Sequence, residues 1–191
     1  MISAIILASG FSRRMGENKL HLEINNKKIY QHVIDEVSKV SFSEKIIVTN
    51  DDEISNYGEN LEFISYKNYN AFIGKSESIK IGIQKSNSNN DFIIFMCDQP
   101  FIKACIIEKI INEFNLSKKI TYPLYGNKFG SPVIFPKEYR KKFLTLTGDE
   151  GGKKFINEFN SHPCHISDEF CGIDIDTHEE FNLYKKLKTN N

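Results

Sequence analysis

The sequence lacks an excess of charge of either sign. Its 25 Lys and Arg balance 25 Asp and Glu, a formal net charge of zero over 191 residues. Coating nucleic acid or binding an acidic membrane needs a basic surplus, so neither is its main work. No apolar run approaches the roughly 18 residues that span a bilayer. The stretch Ala4-Ile5-Ile6-Leu7-Ala8 breaks at Gly10 and follows no positive segment, so it is not expected to be a secretory signal. The four cysteines, Cys97, Cys105, Cys164 and Cys171, form no C-x-x-C pair. Reduced thiols and a cytoplasmic location are the expectation. His162, Cys164, His165 and Cys171 lie close together, but their spacing matches no standard zinc site, and a polar loop is the simpler reading. There is no internal repeat and no G-x-G-x-x-G fingerprint of a dinucleotide-binding redox enzyme. The five histidines form no recognisable triad.

What is present is an ordinary globular composition, 40% hydrophobic and 26% charged, at a length that suits a single domain over 1–191. Strands are expected at 3–8, 45–49, 61–66, 92–97, 120–123 and 132–135, from short apolar runs bounded by polar residues. Helical spacing of apolar residues predicts helices near 28–39, 76–86, 106–114, 150–158 and 177–187. Alternating strands and helices predict an α/β fold with a mostly parallel sheet covered on both faces. Ligands of such sheets bind at the carboxyl ends of the strands. That directs attention to the loop after the first strand, to Asp98, and to whatever follows a late strand near Ile175.

The first loop reads Leu7-Ala8-Ser9-Gly10-Phe11-Ser12-Arg13-Arg14-Met15-Gly16-Glu17-Asn18-Lys19. Glycines at 10 and 16 let backbone N–H groups approach phosphate oxygens, and Arg14 and Lys19 add positive charge. A βα turn with solvated basic residues would read the same way. Gly74-Lys75-Ser76 imitates the end of a P-loop, but the motif needs glycine at 69, where Tyr69 stands. Ser78 and Gly82 are four apart and so share a helix face. A glycine inside a helix costs about 1 kcal/mol against alanine, so close packing or room for a ligand must justify it. Asp98, after the buried strand, is either a Mg²⁺ ligand candidate or a helix cap. Asp176 could likewise cap the last helix.

Taken together, these segments resemble the molybdenum cofactor nucleotidyltransferases. The first loop is similar to their signature L-A-x-G-x-S-x-R-M-G-x-x-K, and within the family it most resembles the cytidylyltransferase branch. Gly74 to Gly82 resembles G-x-x-x-S-x-x-x-G, Cys97-Asp98-Gln99-Pro100 resembles G-D-x-P, and Asp174-Ile175-Asp176-Thr177 resembles D-I-D-T. The resemblance implies a Rossmann-like fold of the nucleotide-diphosphate-sugar-transferase type. It implies that Leu7, Ala8, Ser9, Gly10, Arg14, Gly16, Lys19, Ser78 and Gly82 bind the nucleotide. Lys19, Arg14 and Asp98 would be catalytic, and Asp98 with Asp176 would hold Mg²⁺, leaving Asp174 structural. Two later stretches, Tyr122 to Val133 and Leu146 to Gly152, resemble the family's acceptor loops and offer Gly130, Ser131 and Asp149 as acceptor contacts. A turn plus a helix cap at Asp149 would serve equally well there. Ser9 stands where the cytidylyltransferases usually carry Ala and the guanylyltransferases Gly.

The expected reaction transfers CMP from CTP to the terminal phosphate of molybdopterin, releasing pyrophosphate, before the product passes to a molybdoenzyme. Transfer from GTP, or to a sugar phosphate, is the alternative within the same chemistry. A non-catalytic cofactor carrier is the alternative from another class.

Overall fold

Apolar residues of the first strand, β1 (Ile2–Leu7), divide between two cores. Ala4 and Ile6 pack with one cluster, Ile5 and Leu7 with the other. A strand buried on both faces is therefore apolar without alternation. The computed structural model describes residues 1–10, 16, 18–158 and 160–187. After β1 come a short hairpin, β2 (Glu23–Ile24) and β3 (Lys27–Lys28), then α1 (Ile29–Ser38), β4 (Glu44–Val48), α2 (Asp52–Glu59) and β5 (Ile64–Tyr66). The central part is α3 (Lys75–Lys85), β6 (Asp91–Met96), α4 (Ala104–Ser117) and β7 (Ile120–Tyr125). The chain continues through β8 (Lys128–Phe129), β9 (Val133–Phe135), α5 (Arg140–Phe143), α6 (Lys153–Glu158), β10 (Ser161–Ile166) and α7 (His178–Leu187).

The main sheet has the order β10-β7-β9-β6-β1-β4-β5, with β8 also paired to β7. Its pairs are parallel except those of β8 and β9. Helices cover both faces, α1, α2 and α4 on one and α3, α5 and α6 on the other, as their buried residues show. This is the expected α/β architecture. Among the described residues no helix is long and apolar enough to cross a membrane.

Several local expectations needed correction. The strand expected from Leu61 starts at Ile64, because Glu62 turns the chain with a φ of 65°. Helix α2 was not foreseen. It buries little beyond Ile54 and Gly58, and it is started by the Asp51 carboxylate, which accepts from the N–H groups of Glu53 and Ile54. The segment read as a polar His/Cys loop is the edge strand β10, parallel to β7. Its His162 meets Glu113, Cys164 is buried, and Cys171 is buried beyond the strand. No late strand forms near Ile175. The chain there is irregular, and the Ile175 N–H donates to the Asp98 carbonyl at 3.0 Å.

Candidate active site

Strand register builds the site. Leu7 pairs with Val48 on one side and Met96 on the other, so β1 and β6 deliver their following loops side by side. The Cys97 N–H donates to the Leu7 carbonyl, and the Ala8 N–H to that of Val48. Lys19 returns to this edge on a short 3-10 turn, Lys19–His21, which Asn18 caps by accepting from the Leu20 N–H. The bond from Ile175 to Asp98 brings Asp176 alongside. Lys19 Nζ donates to Asp98 Oδ2 at 2.6 Å and to Asp176 Oδ1 at 2.8 Å. Lys19 and Asp98 side chains are only 12% and 16% exposed, whereas that of Asp176 is 48% exposed. Burial alone would lower the Lys19 pKa, but the neighbouring Asp98 and Asp176 carboxylates outweigh it and hold the amine above the ordinary lysine value. Three residues widely separated in the chain thus form one charged centre.

Two cavities open on this centre. The first, about 250 Å³, is lined by Ser9, Gly10, Lys19, Ser78 and Asp149 among others. The second, about 350 Å³, is lined by Phe129, Ser131, Gly151, Lys153, Asp174 and Asp176 among others. They share Leu7, Lys75, Met96 and Asp98. Ser9, Gly10, Lys19 and Ser78 of the nucleotide candidates line the first cavity and Ser131 of the acceptor candidates lines the second, with Asp98 in both, an arrangement suited to joining two bound molecules. Asp149, an acceptor candidate by sequence, lines the first cavity instead. It caps α3, accepting from the Lys75 N–H at 3.3 Å, rather than a helix that follows it.

Ser9 Oγ and Ser78 Oγ are 2.5 Å apart, and the buried Asn68 donates to Ser78 Oγ at 2.8 Å. This network ties the first loop to α3, and Asn68 is a member that the sequence did not single out. Gly82 does not line the first cavity. A β-carbon there would overlap the Ile5 side chain, so the structure supports helix–sheet packing as the reason for this glycine. Gly130 likewise lies against the Tyr125 ring and lines neither cavity. Ser131 reaches the second cavity because the chain bulges. Extending the β8 register would set Thr121 opposite Pro132, but it pairs with Ile134, so two extra residues lie between β8 and β9. Ala8 is buried, and its carbonyl accepts from Thr49 Oγ1. Gly16 takes a φ of 68°, open only to residues that tolerate left-handed backbone. Arg14 lies outside the described residues.

Asp174, read from the sequence as structural, lines the second cavity with Asp176. Burial, and then the nearby Asp98, push its carboxyl up to about 6. The two-residue spacing of Asp174 and Asp176 was the available signal, since alternate residues of an extended segment share a side. Cys97, in place of the family's glycine, lines the first cavity, and burial holds its thiol well above the usual range.

The donor set fits a hard cation. Asp98 Oδ1 is buried and has no hydrogen-bond partner among the described residues, while Asp98 Oδ2 and Asp176 Oδ1 converge on one positive charge. Mg²⁺ typically takes one or two carboxylates and completes its shell with phosphate oxygens and water. Among the described residues no group of three His, Cys, Asp or Glu could hold a metal alone.

Comparison with known proteins gives the family and the fold. The model of the MobA-like NTP transferase domain matches residues 4–164. A probable molybdenum cofactor guanylyltransferase of Pyrococcus horikoshii is 30% identical over 175 residues, 87% of this chain and 86% of its own length. A solved structure from Mycobacterium sp. strain JC1 superposes with a TM-score of 0.86 at 18% identity, covering 99% of this chain and 97% of its own. Molybdopterin-guanine dinucleotide biosynthesis protein A of Archaeoglobus fulgidus gives a TM-score of 0.74 at 14% identity, covering 99% and 100%.

Proposed function

Because this chain belongs to the MobA-like NTP transferase family, we propose that it is a molybdenum cofactor guanylyltransferase, moving GMP from GTP to the terminal phosphate of molybdopterin. The observation that carries the reading is the Lys19–Asp98–Asp176 centre, set where two cavities meet. A cofactor carrier would have no need of an ion-paired lysine and two carboxylates at such a junction. The guanylyl reading, the sequence alternative, takes precedence over the cytidylyl one because a relative spanning most of the chain is named a guanylyltransferase.

An oxygen of the acceptor phosphate attacks the α-phosphorus in line, the bond to the β-phosphate breaks, and pyrophosphate leaves with the electron pair. The nucleophile is already anionic, so no protein nucleophile is needed. The first cavity holds the nucleotide, with the open α-carbon of Gly10 and the Ser9–Ser78 pair along its wall. Lys19, kept protonated by its carboxylates, opposes the charge that grows on the transferring and leaving phosphates. Asp98 and Asp176 are the residues that would hold Mg²⁺, which when bound neutralises phosphate charge. Initial-rate pyrophosphate release with purified protein, Mg²⁺ and molybdopterin, comparing GTP, CTP and ATP, tests the proposal. Release is expected with GTP. Release with CTP alone would move the base assignment, and no release with any nucleotide would leave the carrier reading.

A further inference from the structure

We propose that Lys75 binds the phosphate of the acceptor, the group that performs the attack. This rests on the function proposed above, since it presumes a phosphomonoester acceptor. Of the four residues shared by the two cavities, only Asp98 and Lys75 are charged. The second cavity has an electrostatic problem to solve. Asp98, Asp174 and Asp176 all line it, and a phosphate dianion entering there would meet three acidic side chains. Lys19 is held by two of those carboxylates and does not line this cavity. Among the described lining residues, Lys75 and Lys153 remain as cations, and Lys153 lies over the Phe129 ring at 5.6 Å from its centre. The Lys75 ammonium makes no ion pair among the described residues.

The path of the side chain is built into the fold. Gly74, with a φ of 144°, packs against the Gly148 backbone. The Ser76 N–H donates to the Gly148 carbonyl at 3.0 Å, and that of Lys75 to Asp149 Oδ1 at 3.3 Å. The root of Lys75 is thereby fastened to the loop at 146–152. Its side chain passes Gly151 so closely that a β-carbon there would lie 2.8 Å from Cε and 3.3 Å from Nζ. The end of the lysine thus lies directly against the Gly151 backbone. The P-loop imitation at 74–76 thus contains a phosphate-binding lysine without being a P-loop. In the reaction, one acceptor oxygen forms the new bond to the α-phosphorus while pyrophosphate departs. Charge balances without a proton, and Lys75 offsets the repulsion between two anions brought into contact.

The experiment compares wild type, Lys75→Met and Lys75→Arg by pyrophosphate release, varying molybdopterin at saturating GTP and then GTP at saturating molybdopterin. Calorimetric titration with GTP and a Tm accompany each protein. Losing one charge-assisted hydrogen bond should raise the acceptor KM of Lys75→Met about 10- to 100-fold. GTP affinity should fall much less than the acceptor KM rises, Tm should stay near wild type, and Lys75→Arg should recover most of the loss. An unchanged acceptor KM, or an equal rise in the KM for GTP, overturns the inference while leaving the function standing. A wild-type protein without turnover overturns both.

Discussion

Replacing Lys19 with Met separates what the charged centre does for the fold from what it does for the reaction. The pair with Asp98 is nearly buried, at 12% and 16% exposure. Removing one partner of such a pair strands the other and costs about 3–5 kcal/mol. The bond to Asp176, at 48% exposure, counts as a surface pair worth under about 1 kcal/mol. Methionine keeps the apolar stem and avoids burying an ammonium, so the net loss should fall at the low end, about 3 kcal/mol. For a chain of this length that lowers Tm by about 6–12 °C. Adding Asp98→Asn to Lys19→Met removes the stranded charge and should recover at least half of the lost stability. Turnover should behave differently. Lys19→Met should lower kcat about 10²–10³-fold, and the second substitution should restore none of it. Urea denaturation and pyrophosphate release on wild type, both single variants and the double variant complete the cycle. If Lys19→Met is within about 1 kcal/mol of wild type and Asp98→Asn brings no gain, the lysine does not organise these carboxylates.

Gly82→Val should drive a side chain into Ile5 and cost about 1–3 kcal/mol, seen as a lower Tm, while calorimetric GTP affinity stays near that of wild type. Normal Tm with lost GTP binding would return Gly82 to the nucleotide site. Asp174 gives a pH test. Its folded carboxyl lies near 6, above the unfolded value of about 3.9. The native state then holds the extra proton between those values, so this group's contribution to stability falls as pH rises through that window and its cost is complete above it. Asp174→Asn should gain on wild type in urea denaturation between pH 4 and pH 7, and parallel pH profiles would show that its carboxyl is unperturbed.

Legibility followed burial. Residues 92–97 and 3–8 could be read as strands because both faces are covered and every position except Ser3 is apolar. Helix α1 was plain because Ile29, Val33, Ile34 and Val37 mark one face. Helix α2 and strand β10 were not legible, since one buries two residues and the other is a sheet edge carrying a half-buried His162 and an exposed His165. In the site, Lys19, Asp98 and Asp176 could be picked out by local motif, and the structure brings them together. Asn68 could not, because its significance lies in a contact across the fold, the hydrogen bond to Ser78, and Lys75 stood out only in an incomplete P-loop motif, while its place beside Gly148 and Gly151 is visible only in the fold.

The neutral composition itself is a sum of opposed segments. Residues 1–30 hold five basic groups against two acidic, and residues 168–180 hold six acidic groups with no lysine or arginine. The fold brings the two into contact, and Lys19 neutralises part of the acidic segment instead of facing phosphate alone. That leaves the second cavity with a net acidic wall, unsuited by itself to a phosphate dianion. Positive charge from another segment would ease the joining of two anions there, and α3 begins with a lysine at the boundary of both cavities. In the proposed reaction the acidic wall and the lysine have complementary uses: carboxylates for a phosphate-bound cation, and an ammonium for the attacking group.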